Sequence, residues 1–323
     1  MAKPRVIITG GAGFIGSNFA RMLVKNNFAD HVTIVDKLTY AGTLANIRDI
    51  FSDVNFVAGD ICSPEMTGLI DQFKPDIIFN FAAETHVDNS IADSGIFMRS
   101  NIIGVKNILD AILVSNPYCR FVQISTDEVY GQLGKTDPPF TEDDKLEPRN
   151  PYSASKASAD LFVLAYKETY DLDVIITRCC NNFGPNQHLE KFLPKMITNA
   201  LLDKEIPVYG KGEQVREWIY VEDHCAGIWD AGTFGTNGFS YNFGSGEEYS
   251  NIELTKLILK MLDKPESLIS FVIDRKGHDF RYAVDSESAY VDLNWTNNTP
   301  LMKGLQKTID FYSEFVQKGM VKV

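Results

Sequence analysis

Six short apolar runs constrain this chain more than any other feature: "RVIITG", "HVTIVD", "VNFVAGD", "PDIIFNFAA", "RFVQIST" and "DVIITRC". Each is rich in valine and isoleucine and reads as a strand buried on both faces rather than on one. Longer segments with apolar residues at helical spacing lie between them, such as "SNFARMLVKNN" after the first run and "VKNILDAILVS" after the fourth. Strands that alternate with such crossovers pair in parallel, so the pattern predicts an α/β fold built on a doubly wound parallel sheet of the Rossmann type. From about residue 183 the pattern loosens. "NFGPNQHLEKFLP" and "PVYGKGEQ" carry turn residues, and "NIELTKLILKML" is a separate amphipathic helix. The expected division is a larger domain over residues 1–182, joined by a returning segment near 216–235, and a smaller mixed α/β domain over 183–323 at the carboxyl ends of the strands. At 323 residues and 44% apolar composition, the chain has material for two cores.

Composition excludes several classes of function. The 31 lysines and arginines face 43 aspartates and glutamates, a formal net charge of −12, and such a surface repels nucleic acid. An anionic ligand must therefore be held by local arginines and backbone amides. The five cysteines (Cys62, Cys119, Cys179, Cys180 and Cys225) show no CxxC spacing, which argues for reduced thiols rather than a disulfide framework or a zinc site. No segment approaches membrane-spanning length and the N-terminal apolar run is too short for a signal peptide, so the expectation is a cytoplasmic enzyme with no membrane partner.

Two motifs carry chemistry. In "GGAGFIG", Gly10, Gly13 and Gly16 are spaced GxxGxxG between a strand and a helix, with Phe14 and Ile15 inside the turn. Glycine there lets backbone amides approach a pyrophosphate at the positive end of the helix. Asp36 ends the second run 20 residues after Gly16, where a carboxylate accepts from both ribose hydroxyls and repels a 2′-phosphate. The cofactor expected is NAD rather than NADP. Asp60 and Ile61 after the third run and Ala82 after the fourth complete the expected cofactor wall. In "YSASK", Tyr152 and Lys156 stand four apart, so a helix stacks them on one face, and Pro151 suits its first turn. A nearby ammonium and the nicotinamide cation would favour the phenolate, which could take a proton from an alcohol while hydride leaves its carbon. An isolated YxxxK is more often a surface pair; here the glycine motif and Asp36 stand in front of it.

These residues resemble the extended short-chain dehydrogenase/reductases that act on nucleotide sugars, and within them the dTDP-glucose 4,6-dehydratase family. The resemblance covers nearly the whole chain, through "GGAGFIGSNF", "FAAETHVD", "STDEVYG", "NPYSASKASAD", "CNNFGPNQHLEKFLPKMI", "PVYGKGEQVREWIYVEDH" and "RKGHDFRYAVD". It implies a nucleotide-diphosphate sugar as substrate, NAD as a cofactor that need never leave, and a homodimer paired through "VKNILDAIL" and "ASADLFVLAYKETY". It also implies a reaction in which oxidation at carbon 4 acidifies the hydrogen on carbon 5, water is eliminated across carbons 5 and 6, and hydride returns to carbon 6. By this resemblance Asp127 is the general acid, Glu128 the base, and Thr126 a hydrogen-bond partner of the carbon 4 oxygen beside Tyr152. Two neighbouring acids on a regular strand point to opposite faces, so both can face one sugar only if the strand has already ended. The bland reading of an isolated Asp–Glu pair is a helix cap.

The resemblance further implies that Asn182 and Arg216 hold the diphosphate, with Asn251 and His278 as further candidates, and that Glu190 and Lys191 line the sugar. His86 has no second ligand at a useful spacing, so it is read as lining the pocket rather than holding a metal. The chain departs from the family pattern at Asn89, Cys180 and Phe183, and in "DSESAYVDLNW". These departures leave the base and sugar open, to UDP-glucose or a GDP- or CDP-linked relative. A 4-epimerase or decarboxylase would use NAD, Tyr152 and Lys156 without both acids, and an NAD(H)-binding sensor would need no acids at all.

Overall fold

The computed structural model describes residues 3–274 and 277–320. All six predicted runs form strands: β1 (Arg5–Thr9), β2 (His31–Asp36), β3 (Asn55–Ala58), β4 (Ile77–Asn80), β5 (Arg120–Ile124) and β6 (Val174–Cys179). Six further strands follow outside the run pattern, together with one that rejoins it. They are β7 (Asn181–Phe183), β8 (Ile206–Tyr209), β9 (Val215–Tyr220), β10 (Ser240–Phe243), β11 (Glu248–Ser250), β12 (Ile269–Val272) and β13 (Arg281–Tyr282). The large sheet has the order β10-β6-β5-β4-β1-β2-β3, and every pairing in it is parallel.

Strand alternation divides its apolar residues between two layers. Val6, Ile8, Ile34, Phe79 and Val122 pack with the helices Phe14–Lys25 and Val221–Phe234. Ile7, Val35, Ile78 and Phe121 pack with Glu65–Phe73, Gly104–Ser115 and Pro151–Tyr170 on the other face. Both faces are covered, which is why the runs carry no polar alternation. Strand order reverses between β1 and β4, and the crevice at their carboxyl ends is where such sheets place a ligand.

The return to this sheet differs from the expected segment. β9, the start of that segment, pairs instead with β7, β11 and β13 in a smaller sheet. The helix Val221–Phe234 does pack on Phe14–Lys25, and the return continues to β10, the seventh strand. Four residues reading "SYNF" are too short for periodicity to mark a strand, so β10 was invisible until β6 supplied its partner. A third apolar cluster lies under the smaller sheet, where Leu193, Ile197, Leu254, Ile258 and Leu305 come from the helices Phe192–Leu201, Asn251–Met261 and Leu301–Gln317. Phe183, one of the departures, packs into that cluster against Trp218 and Tyr220. Among the described residues, no helix is long and apolar enough to cross a membrane.

Candidate active site

The glycine turn is built for close approach. Gly10 has φ of +67°, and a Cβ there would lie 2.7 Å from the backbone nitrogen of Ala82. A Cβ at Gly16 would run into the Gly10 carbonyl. The turn thus delivers Gly13 to the start of the helix Phe14–Lys25, whose free amides face the crevice. At the end of β2 the two carboxylate oxygens of Asp36 accept from the amides of Ala12 (2.9 Å) and Leu38 (2.8 Å), which fixes the acid at the cleft wall. Lys37 turns aside to Ser100 Oγ at 3.3 Å and Asp60 at 3.9 Å. All the residues expected at the cofactor line this one cleft, including Phe14, Ile15, Asp60, Ile61 and Ala82. A cradle no side chain fits, amides at a helix start and an acid at the second strand end together fit a dinucleotide with a free 2′-hydroxyl.

The acids follow directly. β5 stops at Ile124, and Thr126, in extended backbone, caps the 3₁₀ turn Asp127–Tyr130 by accepting from the Glu128 amide at 3.4 Å. The strand has therefore ended before the pair begins. The cap is Thr126, so the bland reading of the acids as caps fails. The Thr126 hydroxyl also donates to Asp127 Oδ1 at 3.1 Å, while Asp127 Oδ2 is buried with no hydrogen-bond partner. Burial, then the Glu128 and Glu217 carboxylates, hold the Asp127 carboxyl well above the usual range. Burial also raises Glu128, but Asn150, Arg216 and Lys191 pull it back. Adjacent in sequence, the two acids sit in different fields: neighbouring carboxylates add to burial at Asp127 and favour its protonated form, whereas a donor and two cations oppose burial at Glu128.

Tyr152 is buried in the first turn of the helix Pro151–Tyr170, and Lys156 follows one turn later with Nζ donating to the Ile124 carbonyl at 2.5 Å. Burial brings the Lys156 ammonium down to about 8. Burial, then the Glu128 carboxylate, push the Tyr152 phenol well above its usual value, and the Thr126 hydroxyl beside it works in the other direction. The expectation that a neighbouring ammonium favours the phenolate is revised here, because the strongest charge acting on the phenol is anionic. Lys156 Nζ gives one of its three protons to the Ile124 carbonyl, and NAD would bring further positive charge to favour the phenolate.

A second cleft opens beside the first and shares Glu128 and Asn181 with it. His86, Glu190, Arg216, Asn251 and His278 line it, as expected of substrate residues. Arg216 is buried and donates only to the carbonyls of Val215 (2.7 Å), Phe280 (3.3 Å) and Asp279 (3.0 Å), with its guanidinium 4.4 Å from the Tyr282 ring centre. Among the described residues it forms no carboxylate ion pair, so its charge is available to an anion. Lys191 lines the first cleft and donates to the Thr85 carbonyl at 2.9 Å. His86 caps the helix Val87–Ala92 by accepting from the Asn89 amide at 3.4 Å, and its other nitrogen lies 3.7 Å from Glu190. Among the described residues no cluster could hold a metal ion. His278 lies 2.7 Å from Asp274 through Nδ1, and Asn251 opens the helix Asn251–Met261.

Asn182 is corrected by the geometry. Its amide donates to the Cys180 carbonyl at 3.1 Å and its oxygen meets buried His224 Nδ1 at 2.9 Å, so it forms wall of the first cleft rather than reaching the second. On the short strand β7 neighbouring side chains alternate, and Asn181 faces both clefts instead. Sequence reading also missed Asn150, whose Nδ2 donates to Glu128 Oε2 at 3.3 Å, and Asp279, whose carboxylate meets Arg149 at 3.2 Å and the Tyr282 hydroxyl. Asn150 stands before Pro151 and caps that helix, and no spacing in the sequence marks its bond to Glu128.

Comparison with known proteins extends this picture. The family model described as GDP-mannose 4,6 dehydratase matches residues 7–308. The low-salt glycan biosynthesis protein of Haloferax volcanii is 50% identical, covering 95% of this chain and 98% of its own. The dTDP-glucose 4,6-dehydratase of Neisseria meningitidis serogroup B is 44% identical over 95% of this chain and 93% of its own. The crystal structure of dTDP-glucose 4,6-dehydratase from Streptomyces venezuelae, solved with NAD bound, superposes with a TM-score of 0.94 at 42% identity, covering 98% of this chain and 99% of that one.

Proposed function

This chain belongs to the GDP-mannose 4,6 dehydratase family, alongside its dTDP-glucose 4,6-dehydratases, and on that premise we propose that it converts dTDP-glucose to dTDP-4-keto-6-deoxyglucose and water. It is an NAD-dependent hydro-lyase. NAD, when bound, would supply the acceptor for the hydride of carbon 4 and the donor of the hydride that returns to carbon 6. Gly10, Gly13 and Gly16 would hold its pyrophosphate and Asp36 its ribose. Tyr152 takes the carbon 4 hydroxyl proton, and the Thr126 hydroxyl holds that oxygen. Glu128 removes the proton on carbon 5, and a proton returns to that carbon as hydride reaches carbon 6. Asp127 protonates the carbon 6 hydroxyl, which otherwise leaves only as hydroxide. Arg216 and Asn181 hold the diphosphate in the second cleft, and Glu190 and Lys191 flank the sugar.

One observation carries this reading over the epimerase: Asp127 and Glu128 stand side by side in the first cleft where Glu128 opens on the second, and burial raises both carboxyls, Asp127 well above its usual range and Glu128 with Asn150, Arg216 and Lys191 working against the rise. An epimerase has no use for that pair. Purified protein given dTDP-glucose without added cofactor should yield the 4-keto product, read by its absorbance in alkali, with no net reduced cofactor. UDP-glucose and GDP-mannose run beside it should be poorer substrates, and a preference for either reassigns the base.

The same reading makes the enzyme a cytoplasmic homodimer. Val114, Leu161 and Phe162 are exposed on the helices Gly104–Ser115 and Pro151–Tyr170, which supports pairing there. All five cysteines are free, which suits a reducing compartment.

A further inference from the structure

We propose that Asn150 is a positioning residue for the base, clamping Glu128 to the helix that presents Tyr152; this rests on the assignment of Glu128 as the carbon 5 base. The Asn150 side chain is divided between two tasks. Its Oδ1 accepts from the Ser153 backbone amide at 2.9 Å, while the Asn150 backbone amide donates at 3.2 Å to Ser153 Oγ, a reciprocal cap on the helix Pro151–Tyr170. Its Nδ2 donates to Glu128 Oε2 at 3.3 Å. One planar group therefore fixes the base relative to Tyr152, two residues further along the same helix.

The geometry has two consequences. A donor on Oε2 favours the ionised carboxylate and stops the side chain from swinging, which leaves Oε1 to take the proton. Removal of the carbon 5 hydrogen must follow ketone formation at carbon 4, so the two groups have to address neighbouring carbons of one ring. A rigid link between Glu128 and the Tyr152 helix holds that spacing. Arg149, the preceding residue, meets buried Asp279 at 3.2 Å, and the Asp279 carbonyl accepts from Arg216. The pair Arg149–Asn150 thus ties the nucleotide side of the second cleft to the base.

The cap and the clamp are separable, because serine caps a helix about as well as asparagine but has no amide to reach Glu128. Asn150→Ser should leave the melting temperature and carbon 4 oxidation nearly unchanged. Exchange of the carbon 5 hydrogen in deuterated water should slow roughly tenfold to a hundredfold, the worth of one hydrogen bond to a charged group. The acid limb of its pH profile should move upward. Asn150→Asp keeps the cap and sets an acceptor against Glu128, so its limb should move further. Glu128→Gln is the control that separates this inference from its premise. If Glu128→Gln retains exchange, the base is another group and the clamp falls with it. If Glu128→Gln abolishes exchange while Asn150→Ser and Asn150→Asp keep the wild-type rate and pH profile, the base stands and the clamp is wrong. Equal losses of oxidation and exchange in both Asn150 variants would also overturn it, since Asn150 would then act through the helix alone.

Discussion

The two clefts that meet at Glu128 are made differently. The cofactor cleft is built from the ends of consecutive strands and one helix start, so its walls come from short contiguous stretches such as Gly10–Gly16 and Asp36. The second cleft gathers single residues from distant loops and short strands: His86, Asn181, Glu190, Arg216, Asn251 and His278. The first is backbone amides and one anchored acid. The second is a buried guanidinium whose hydrogen bonds, among the described residues, go to carbonyls. The difference teaches that cofactor recognition is carried by the fold itself, while recognition of the nucleotide sugar is carried by side chains that the fold brings together.

The largest expected effect sets chemistry against binding. Tyr152→Phe keeps the ring and removes the proton acceptor, so carbon 4 oxidation should fall by roughly 100-fold to 10,000-fold, with nucleotide-sugar affinity little changed. Stopped-flow absorbance of the reduced cofactor and equilibrium dialysis of the nucleotide check the two halves. Loss of affinity on the same scale would break the separation of the clefts.

Arg216→Gln should do the reverse. Hydrogen bonds to a charged group are worth about 1.5–3 kcal/mol, so KM should rise roughly tenfold to a hundredfold. The oxidation rate at saturation should hold to within a few-fold, because the guanidinium donates to the Val215, Phe280 and Asp279 carbonyls and, among the described residues, to no group on the Tyr152 helix. Steady-state KM and single-turnover formation of reduced cofactor at saturating dTDP-glucose decide it. A fall in the oxidation rate with KM unchanged would move Arg216 from the second cleft's binding to its chemistry.

The smallest effect concerns the wall between them. His224 is fully buried against Asn182, and burial pulls its imidazole down to about 3. Its folded-state value lies below the unfolded one, so the unfolded chain takes up the proton first. The stability it contributes is complete above the ordinary value of about 6.5 and erodes as pH falls from there toward 3. His224→Gln can still meet Asn182 but does not titrate, and its unfolding free energy should fall less steeply between pH 6 and 4 than that of the wild type, by at most about 1.4 kcal/mol per pH unit. Parallel slopes in urea titrations would show that other groups govern acid stability.

Legibility in the sequence follows the same contrast. The six strands, the glycine turn, Asp36, Tyr152 and Lys156 were readable because each lies in a contiguous pattern with a local physical meaning. β10 was not, since four half-polar residues become a strand only beside β6. Asn182 and Asn181 were interchanged because the parity of a three-residue strand is set by β9, its partner far along the chain. Asn150 was not legible because its bond to Glu128 reaches 22 residues back along the chain, where no local spacing marks it. Side chains serving two elements at once leave no spacing to read.

The central claim is the division of labour between neighbouring carboxyl groups, and single turnover in deuterated water with mass analysis of the recovered sugar tests it most directly. Asp127→Asn cannot protonate the leaving hydroxyl but leaves oxidation and carbon 5 deprotonation intact, so it should accumulate reduced cofactor and carry deuterium into carbon 5 of recovered substrate while elimination is slow. Glu128→Gln should form reduced cofactor with far less exchange. Equal exchange and equal elimination in the two variants would contradict the account.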